Sequence, residues 1–272
     1  IEGTIPLLHG SQGCSTYMRR YLISHFKEPV DIASSNFSEE TAIFGGGANL
    51  KQAIENVTRQ YDPQMIGIAT TCLSETIGDD VPMILDSLDS HLTGATNQPT
   101  LVHVSTPSYT GTHVDGFHHA VREVVKTCNP VSAKIKYKPK AKKKINLFPG
   151  MLSNEDFRHL KEIFKDLNTE MTMLPDYSER LEGPSWVEYQ AIQQGGTPVG
   201  DIEKMRMATG SLELGTILGQ SVENGGMSAG SYLQESFDIP CESMGFPIGV
   251  KATDLFFSLL ERLTLKVIPD KY

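Results

Sequence analysis

The sequence predicts an α/β protein with a doubly wound, mostly parallel, Rossmann-like sheet or sheets and flanking helices. Short apolar runs alternate with amphipathic segments of helical period along most of the 272 residues. Turn residues such as glycine, proline and serine stand between these segments. Because strands that alternate with helices are joined by crossover connections, the sheet is expected to be mainly parallel.

The predicted strands are short apolar runs, and each of them ends at a turn. They cover residues 5–8, 65–69, 100–104, 145–148, 171–174 and 212–218. The predicted helices carry their apolar residues on one face, as Leu50, Ile54 and Val57 do. They cover residues 15–26, 49–61, 79–88, 115–126, 153–167, 199–208, 228–237 and 252–264. Ser153 and Asp156 have the spacing of a capping box at the start of one of them.

Two stretches depart from this alternation. Residues 175–198 are less regular and contain the single tryptophan, Trp186. Residues 134–144 contain seven lysines, which we interpret as a solvated loop in preference to a basic surface for an acidic partner. A length of 272 residues is enough for one large or two ordinary domains.

Composition excludes several classes of function. A net charge of -9 argues against nucleic-acid binding, and no apolar run approaches the roughly 20 residues of a membrane helix. The four cysteines are widely spaced, which fits neither a zinc motif nor a dense disulfide framework. No secretion signal is visible, so a cytoplasmic location is expected. The first residue is Ile1, and we therefore expect a truncated or processed chain.

Two cysteine motifs carry the strongest chemical signal. Cys14 ends the sequence HGSQGC at residues 9–14, and Cys72 lies in TTCLSETIGDD at residues 70–80. Each cysteine follows an apolar run and stands at the mouth of a helical segment, where α/β proteins bind ligands. A helix N-terminus stabilises a thiolate, and thiolates are the ligands of iron–sulfur clusters. Since two cysteines are too few for a cubane cluster, we expect a cluster shared with another chain or with residues outside this segment.

Ser108 follows the strand predicted at residues 100–104, at a position that matches those of Cys14 and Cys72. It is therefore a candidate third group in the same crevice, although a turn serine is the simpler interpretation. His9 is interpreted as a packing or supporting histidine in preference to a metal ligand. Cys128 and Cys241 have no supporting motif and are interpreted as ordinary semi-buried cysteines.

Three further groups of residues receive a structural interpretation. The glycine run at residues 45–47 lacks the spacing of a phosphate-binding motif, so it is predicted to be a tight turn. The carboxylates at the end of TTCLSETIGDD are expected to complement a helix dipole in preference to binding a hard cation. The histidines near Ser108 lack the spacing of a zinc site. Those carboxylates and histidines are Glu75, Asp79, Asp80, His113, His118 and His119.

The three motifs HGSQGC at 9–14, TTCLSETIGDD at 70–80 and TPSYTGTHVDGF at 106–117 together resemble the nitrogenase component 1 family, and its β-type subunits in particular. The resemblance covers essentially the whole chain. It implies a role in nitrogen fixation, an iron–sulfur cluster at the interface with an α-type subunit in an α2β2 heterotetramer, and electrons delivered by the nitrogenase iron protein. It also implies that residues 1–272 are the first α/β domain of a longer β-type subunit, with a connection to the next domain starting near 265–272.

Two roles within the family are open, and they use the candidate residues differently. In the scaffold complex that builds the iron–molybdenum cofactor, Cys14 would supply one ligand of a four-iron cluster and the α-type partner the others. In the catalytic molybdenum–iron protein, Cys14 and Cys72 would hold the P-cluster, and Ser108 would assist on its oxidation.

The middle of the chain resembles the scaffold subunit more than the catalytic one. The segments with this resemblance are residues 174–178, 181–186, 195–198 and 219–221. The sequence therefore favours the scaffold role. A further cysteine of the catalytic subunits, in a Cys-x-Pro-x-Gly context, would lie upstream of this sequence. A metal-free Rossmann-like binding module with structural cysteines is the third alternative.

Overall fold

The computed structural model of the chain describes residues 1–89, 98–131, 144–183, 190–215 and 228–272. The chain forms two compact units. The first unit contains residues 2–117 and 179–195, and the second contains residues 118–178 and 196–272 together with residue 1.

The first unit is built on a four-stranded parallel sheet with the strand order β2-β1-β3-β4. Its strands are β1 (Thr4–His9), β2 (Ala33–Ser34), β3 (Met65–Thr70) and β4 (Thr100–Val104). Its helices are α1 (Gln12–His25), α2 (Glu39–Phe44), α3 (Gly47–Tyr61), α4 (Cys72–Ile77) and α5 (Val81–Asp89). The next helix, α6 (His113–Cys128), includes the boundary between the two units.

The apolar faces predicted from periodicity form the core of the first unit. Leu50 and Ile54 of α3 are fully buried against the sheet residues Leu7, Ile66 and Ile68, which are also fully buried. Burial of such side chains stabilises each of them by roughly 1.5–3 kcal/mol relative to exposure. This packing fixes the sheet and therefore the positions of the loops that leave its carboxyl edge.

The strand order gives the first sheet its switch point between β1 and β3. The chain leaves β1 towards β2 on one side and returns to β3 on the other side, as a doubly wound sheet does. The parallel register pairs His9 with Thr70 at the carboxyl ends of β1 and β3. The loops that lead to Cys14, Cys72 and Ser108 therefore leave the same edge of three adjacent strands.

The second unit contains another four-stranded parallel sheet, with the order β6-β5-β7-β8. Its strands are β5 (Lys144–Phe148), β6 (Glu170–Met173), β7 (Gly210–Leu214) and β8 (Cys241–Met244). Its other helices are α7 (Asn154–Asp166), α8 (Val199–Ile202), α9 (Ala229–Phe237) and α10 (Val250–Thr264). Ser153 and Asp156 form the predicted capping box at the start of α7. The two sheets and their flanking helices confirm the predicted α/β class.

One predicted helix, at residues 199–208, is wrong in its extent. The structure has the short helix α8 and then a 3₁₀ turn at Met205–Met207. The buried side chain of Asn129 explains the break, because its Nδ2 donates to the carbonyl of Ile202 and its Oδ1 accepts the N–H of Arg206. An asparagine that bonds these backbone groups replaces the helix's own hydrogen bonds.

Other differences concern short elements and element boundaries. The helix predicted at 79–88 begins at Val81, and Gly78, with a φ of 79°, separates it from helix α4, for which no bounds were predicted. The helix predicted from residue 15 begins at Gln12, so that Cys14 lies in its first turn. Strands β2 and β8 and helix α2 were not predicted, because each is short and the two strands lie at sheet edges with few apolar residues. Residues 216–218 of the strand predicted at 212–218 lie outside the described residues.

Candidate functional site

Cys72 and Ser108 are in direct contact at the carboxyl edge of the first sheet. Cys72 is the first residue of α4, directly after β3, and Ser108 lies in the segment that follows β4. The Cys72 Sγ is 2.9 Å from the Ser108 Oγ, and the backbone N–H of Ser108 donates to the same sulfur at 3.2 Å. These hydrogen bonds hold the pKa of the Cys72 thiol below its usual value, and the bond to the hydroxyl has the larger effect. The sulfur is therefore biased towards thiolate.

Cys14 lies in the first turn of α1, at the same edge of the sheet. The helix is capped by Ser11, whose side chain accepts the N–H of Gly13. The thiol of Cys14 is exposed to solvent. Because β1 and β3 are adjacent and parallel, the elements that carry Cys14 and Cys72 start from neighbouring strand ends. That both cysteines bind a metal stays a prediction.

The loops after β1 and β3 are packed tightly against each other. A Cβ on Gly10 would lie 1.9 Å from the Oγ1 of Thr71, so only glycine fits in this part of HGSQGC. The carbonyl of His9 accepts the N–H of Thr71 at 3.1 Å and the hydroxyl of Ser74 at 2.8 Å. The loop that leads to Cys14 is thus joined directly to the start of the helix that carries Cys72.

His9 is a fully buried supporting residue, as the sequence predicts. Its Nε2 lies 3.2 Å from the Oδ2 of Asp79, and its Nδ1 lies 3.0 Å from the Oγ of Ser35. The rings of His9 and Phe37 pack in an edge-to-face arrangement. Burial lowers the pKa of His9, and the nearby carboxylate of Asp79 only partly opposes this. The imidazole is therefore neutral at neutral pH.

The glycine run at 45–47 is a tight structural turn, as predicted, but its contact with Asp79 was not expected. The N–H of Gly46 donates to both carboxylate oxygens of Asp79, at 3.0 and 3.1 Å. A Cβ on Gly46 would lie 2.2 Å from the ring of Phe37. The carboxylate of Asp79 thus bonds His9 and the N-cap residue of α3, and not the start of the helix that follows Asp79 in sequence. Asp80 fits the prediction of a carboxylate that complements a helix dipole, since it accepts the N–H of Met83 in the first turn of α5, and Glu75 lies in the first turn of α4.

Glu75 joins α4 to the segment after β4, a role that the sequence interpretation also missed. Its Oε1 accepts hydrogen bonds from the hydroxyl of Ser105, at 2.6 Å, and from that of Thr70. Burial by itself would raise the pKa of Glu75, but these two hydroxyls hold it below the usual value. Glu75 lies one helical turn after Cys72, and Ser105 shortly precedes Ser108. The pair therefore helps to keep Ser108 beside Cys72.

Cys128 is buried and Cys241 is half-buried, in line with their interpretation as ordinary cysteines. Burial raises the pKa of the Cys128 thiol to about 11, and burial together with Glu213 raises that of Cys241. Within the described residues, no group of three or more His, Cys, Asp or Glu side chains is arranged to hold a metal ion. Residues 134–143 and 219–221 lie outside the described part of the chain, as do residues 184–186. No helix in the described ranges is long and apolar enough to cross a membrane.

We expect the Ser108→Ala variant to make Cys72 less reactive towards iodoacetamide near neutral pH. Removal of the hydroxyl takes away the strongest cause of the low thiol pKa, although the backbone N–H of residue 108 still donates. The measurement is the alkylation rate of each cysteine-containing peptide by mass spectrometry in cluster-free protein. Cys14 in the same sample is the internal control. An unchanged rate at Cys72 would show that the hydroxyl does not stabilise the thiolate.

The donor set fits an iron–sulfur cluster that is shared with a further chain. It consists of an exposed thiol at Cys14, a half-buried thiol of lowered pKa at Cys72 and a hydroxyl at Ser108. Thiolate sulfur is the usual ligand of such clusters, and nearby hydrogen bonds to sulfur tune their potential. Since a cubane cluster takes four protein ligands, the two thiols leave positions for another chain to fill.

Comparison with known proteins gives one consistent result. The family model for nitrogenase component 1 type oxidoreductases matches residues 1–272. The nitrogenase molybdenum-iron protein beta chain of Clostridium pasteurianum is 37% identical over 270 residues, which are 99% of this chain and 56% of that protein. The corresponding beta chain of Methanothermobacter thermautotrophicus is 34% identical over 277 residues, covering 97% of this chain and 56% of that protein.

A solved structure described as nitrogenase Cp1 at pH 6.5 superimposes with a TM-score of 0.86 and 35% sequence identity. The match covers 100% of this chain and 56% of the chain in that structure. This chain thus spans a little over half the length of the curated relatives and of the solved structure that it matches.

Proposed function

This chain belongs to the nitrogenase component 1 type oxidoreductase family as one of its β-type chains, and we propose that it holds an iron–sulfur cluster for electron transfer at an interface with an α-type subunit. The observation that carries the proposal is the contact between Cys72 and Ser108 at the strand edge that also leads to Cys14. Such a cluster supplies single-electron transfer when bound.

The electron relay of a catalytic nitrogenase is one of two candidate roles for this subunit. Cys14 and Cys72 would bind through their sulfurs, and Ser108 places an oxygen donor 2.9 Å from one of these sulfurs. Hydrogen bonds from Ser108 lower the pKa of the Cys72 thiol and so favour the thiolate form that metal binding needs. The family resemblance assigns a serine at this position to the oxidised state of the relay, which is consistent with a hydroxyl so close to the thiol.

The scaffold of iron–molybdenum cofactor biosynthesis is the second candidate role. It is supported by the resemblance of residues 174–178 and 195–198 to scaffold subunits. In this role Cys14 alone would contribute to a four-iron cluster, and Cys72 would have no metal to bind. Both roles imply the same partners, which are an α-type subunit in an α2β2 complex and the nitrogenase iron protein as electron donor, in the cytoplasm.

The test is low-temperature EPR of the full-length subunit, co-expressed with its α-type partner and purified without oxygen in dithionite. A cluster that is EPR-silent when reduced and gives an EPR signal after oxidation would support the catalytic role. A spin-half signal in the reduced protein would support the scaffold role. Colourless protein without iron would reject both roles and leave the metal-free binding module.

The Cys72→Ala variant of the same complex separates the two roles independently. We expect it to lose iron and the oxidised EPR signal if the relay role holds, because a cluster ligand is removed. Under the scaffold role, iron and signal would stay at the level of the unsubstituted complex. The Cys128→Ala variant is the control, since that thiol is buried and its pKa is raised, so it should leave iron unchanged in either case.

A further inference from the structure

One carboxylate links the loops that carry the two candidate ligand cysteines. The Oδ2 of Asp79 lies 3.2 Å from the Nε2 of His9 and 3.1 Å from the backbone nitrogen of Gly46. The side chain of Asp79 is 8% exposed and that of His9 is 0% exposed, so water competes little for these hydrogen bonds. His9 ends β1 and leads to Cys14, whereas Asp79 follows α4, the helix that begins at Cys72.

The hydrogen-bond directions fix His9 as a donor to Asp79. The Oγ of Ser35 accepts the N–H of Gly10 at 2.9 Å and lies 3.0 Å from the Nδ1 of His9. The carboxylate of Asp79 can only accept, so the Nε2 of His9 carries the ring hydrogen, and the Nδ1 of the neutral ring then accepts the hydroxyl hydrogen of Ser35. A neutral imidazole then donates to the carboxylate, and the ring cannot rotate without losing both bonds.

We propose that Asp79 is a positioning residue that sets the separation between Cys14 and Cys72. The proposal rests on the proposed function, in which these two cysteines hold one cluster. Asp79 acts through His9, as residues behind a metal site commonly fix the residues that bind the metal. Its bond to Gly46 anchors the carboxylate on its other side, at the turn before α3.

Two substitutions of Asp79 separate the effect of its hydrogen bonds from the effect of its negative charge. The Oδ2 of Asp79 accepts from both His9 and Gly46, so Asp79→Asn can keep both bonds through its single carbonyl oxygen. Asp79→Ala removes both bonds together with the charge. Asp80→Ala is the charge-matched control, because that neighbouring carboxylate is exposed and accepts the N–H of Met83 at the start of α5.

The experiment measures the dipolar coupling between nitroxide labels on Cys14 and Cys72 in the cluster-free full-length subunit, with the other cysteines replaced by serine. We expect a narrow distance distribution in the unsubstituted protein, in Asp79→Asn and in Asp80→Ala. We expect a broader or shifted distribution in Asp79→Ala. The iron content of the corresponding complexes should be lower in Asp79→Ala alone.

The outcomes separate the positioning role from the proposed function. An unchanged distance distribution in folded Asp79→Ala would reject the positioning role, whatever the iron content. An unsubstituted complex without iron would reject the proposed function, while the label distances would still report on the link. If Asp79→Ala does not fold by circular dichroism, His9→Leu replaces it. That variant breaks the same link but leaves Asp79 bonded to Gly46, and an unchanged distribution in it would also reject the proposal.

Discussion

Replacing Cys14 by alanine in the full-length subunit, co-expressed with its α-type partner, is expected to abolish the interface cluster and its EPR signal. Cys14 is the residue that both candidate roles use, so the result does not depend on which role is correct. Its exposed thiol in the first turn of α1 is free to meet a second chain. A cluster whose ligands come from two chains is expected to be lost when one chain withdraws its thiolate.

The measurement is iron per complex together with low-temperature EPR, compared between Cys14→Ala and Cys14→Ser. Serine keeps a polar donor at the position but not a thiolate, so both variants should lose most of the signal. Cys241→Ala is the matched control, because that thiol is half-buried and its pKa is raised by burial. Full iron content in Cys14→Ala would reject the assignment of Cys14 as a cluster ligand in both the catalytic and the scaffold role.

The fold could be predicted from the sequence wherever burial on one face gives the apolar residues a regular spacing. The fully buried residues Leu50 and Ile54 on α3 are an example, since they repeat at helical spacing and pack on strands that read as apolar runs. Edge elements such as β8 were missed, because CESM is half polar and its burial is partial. The break after α8 was missed for another reason. It depends on Asn129, which is distant in sequence and contacts α8 only after folding.

The sequence points to the candidate ligand residues of the site, but it does not indicate the residues that hold them in place. Cys14, Cys72 and Ser108 each stand at the end of a predicted strand, and the parallel order of β1, β3 and β4 then places all three at one edge. The roles of Asp79 and Glu75 could not be predicted, because their partners lie 70 and 30 residues away along the chain. The only sequence signal was that acidic residues occur within one or two turns of Cys72.

A second large effect is expected from Arg180, which holds residues 179–183 and 190–195 of the irregular stretch within the first unit. Its Nε donates to the Oε1 of Glu28 at 2.7 Å, and its Nη1 donates to the carbonyl of Gln193 at 2.8 Å. Glu28 is 1% exposed and also accepts the N–H of Leu181. The ion pair thus joins residues 179–195 to the rest of the unit, where periodicity gives no helix or strand to do so.

The Arg180→Met variant should destabilise this region by about 3 kcal/mol. Removal of one partner from a buried ion pair costs roughly 3–5 kcal/mol, because the other charge stays buried without its counter-ion. The lower end applies because the Arg180 side chain is 23% exposed. Hydrogen exchange of the full-length protein measures the effect locally, and the amide of Leu181 should exchange about a hundredfold faster.

Two controls test whether the buried charge causes this loss. Arg19 pairs with Asp31 in the same unit, but its side chain is 44% exposed, so Arg19→Met should cost no more than about 1 kcal/mol. The double variant Arg180→Met with Glu28→Gln removes the buried charge while keeping an acceptor for Leu181, and it should recover part of the protection. Equal exchange rates in Arg180→Met and Arg19→Met would contradict the argument. They would mean that the irregular segment is held by its apolar contacts, such as that of Ile192 with the core, and not by the ion pair.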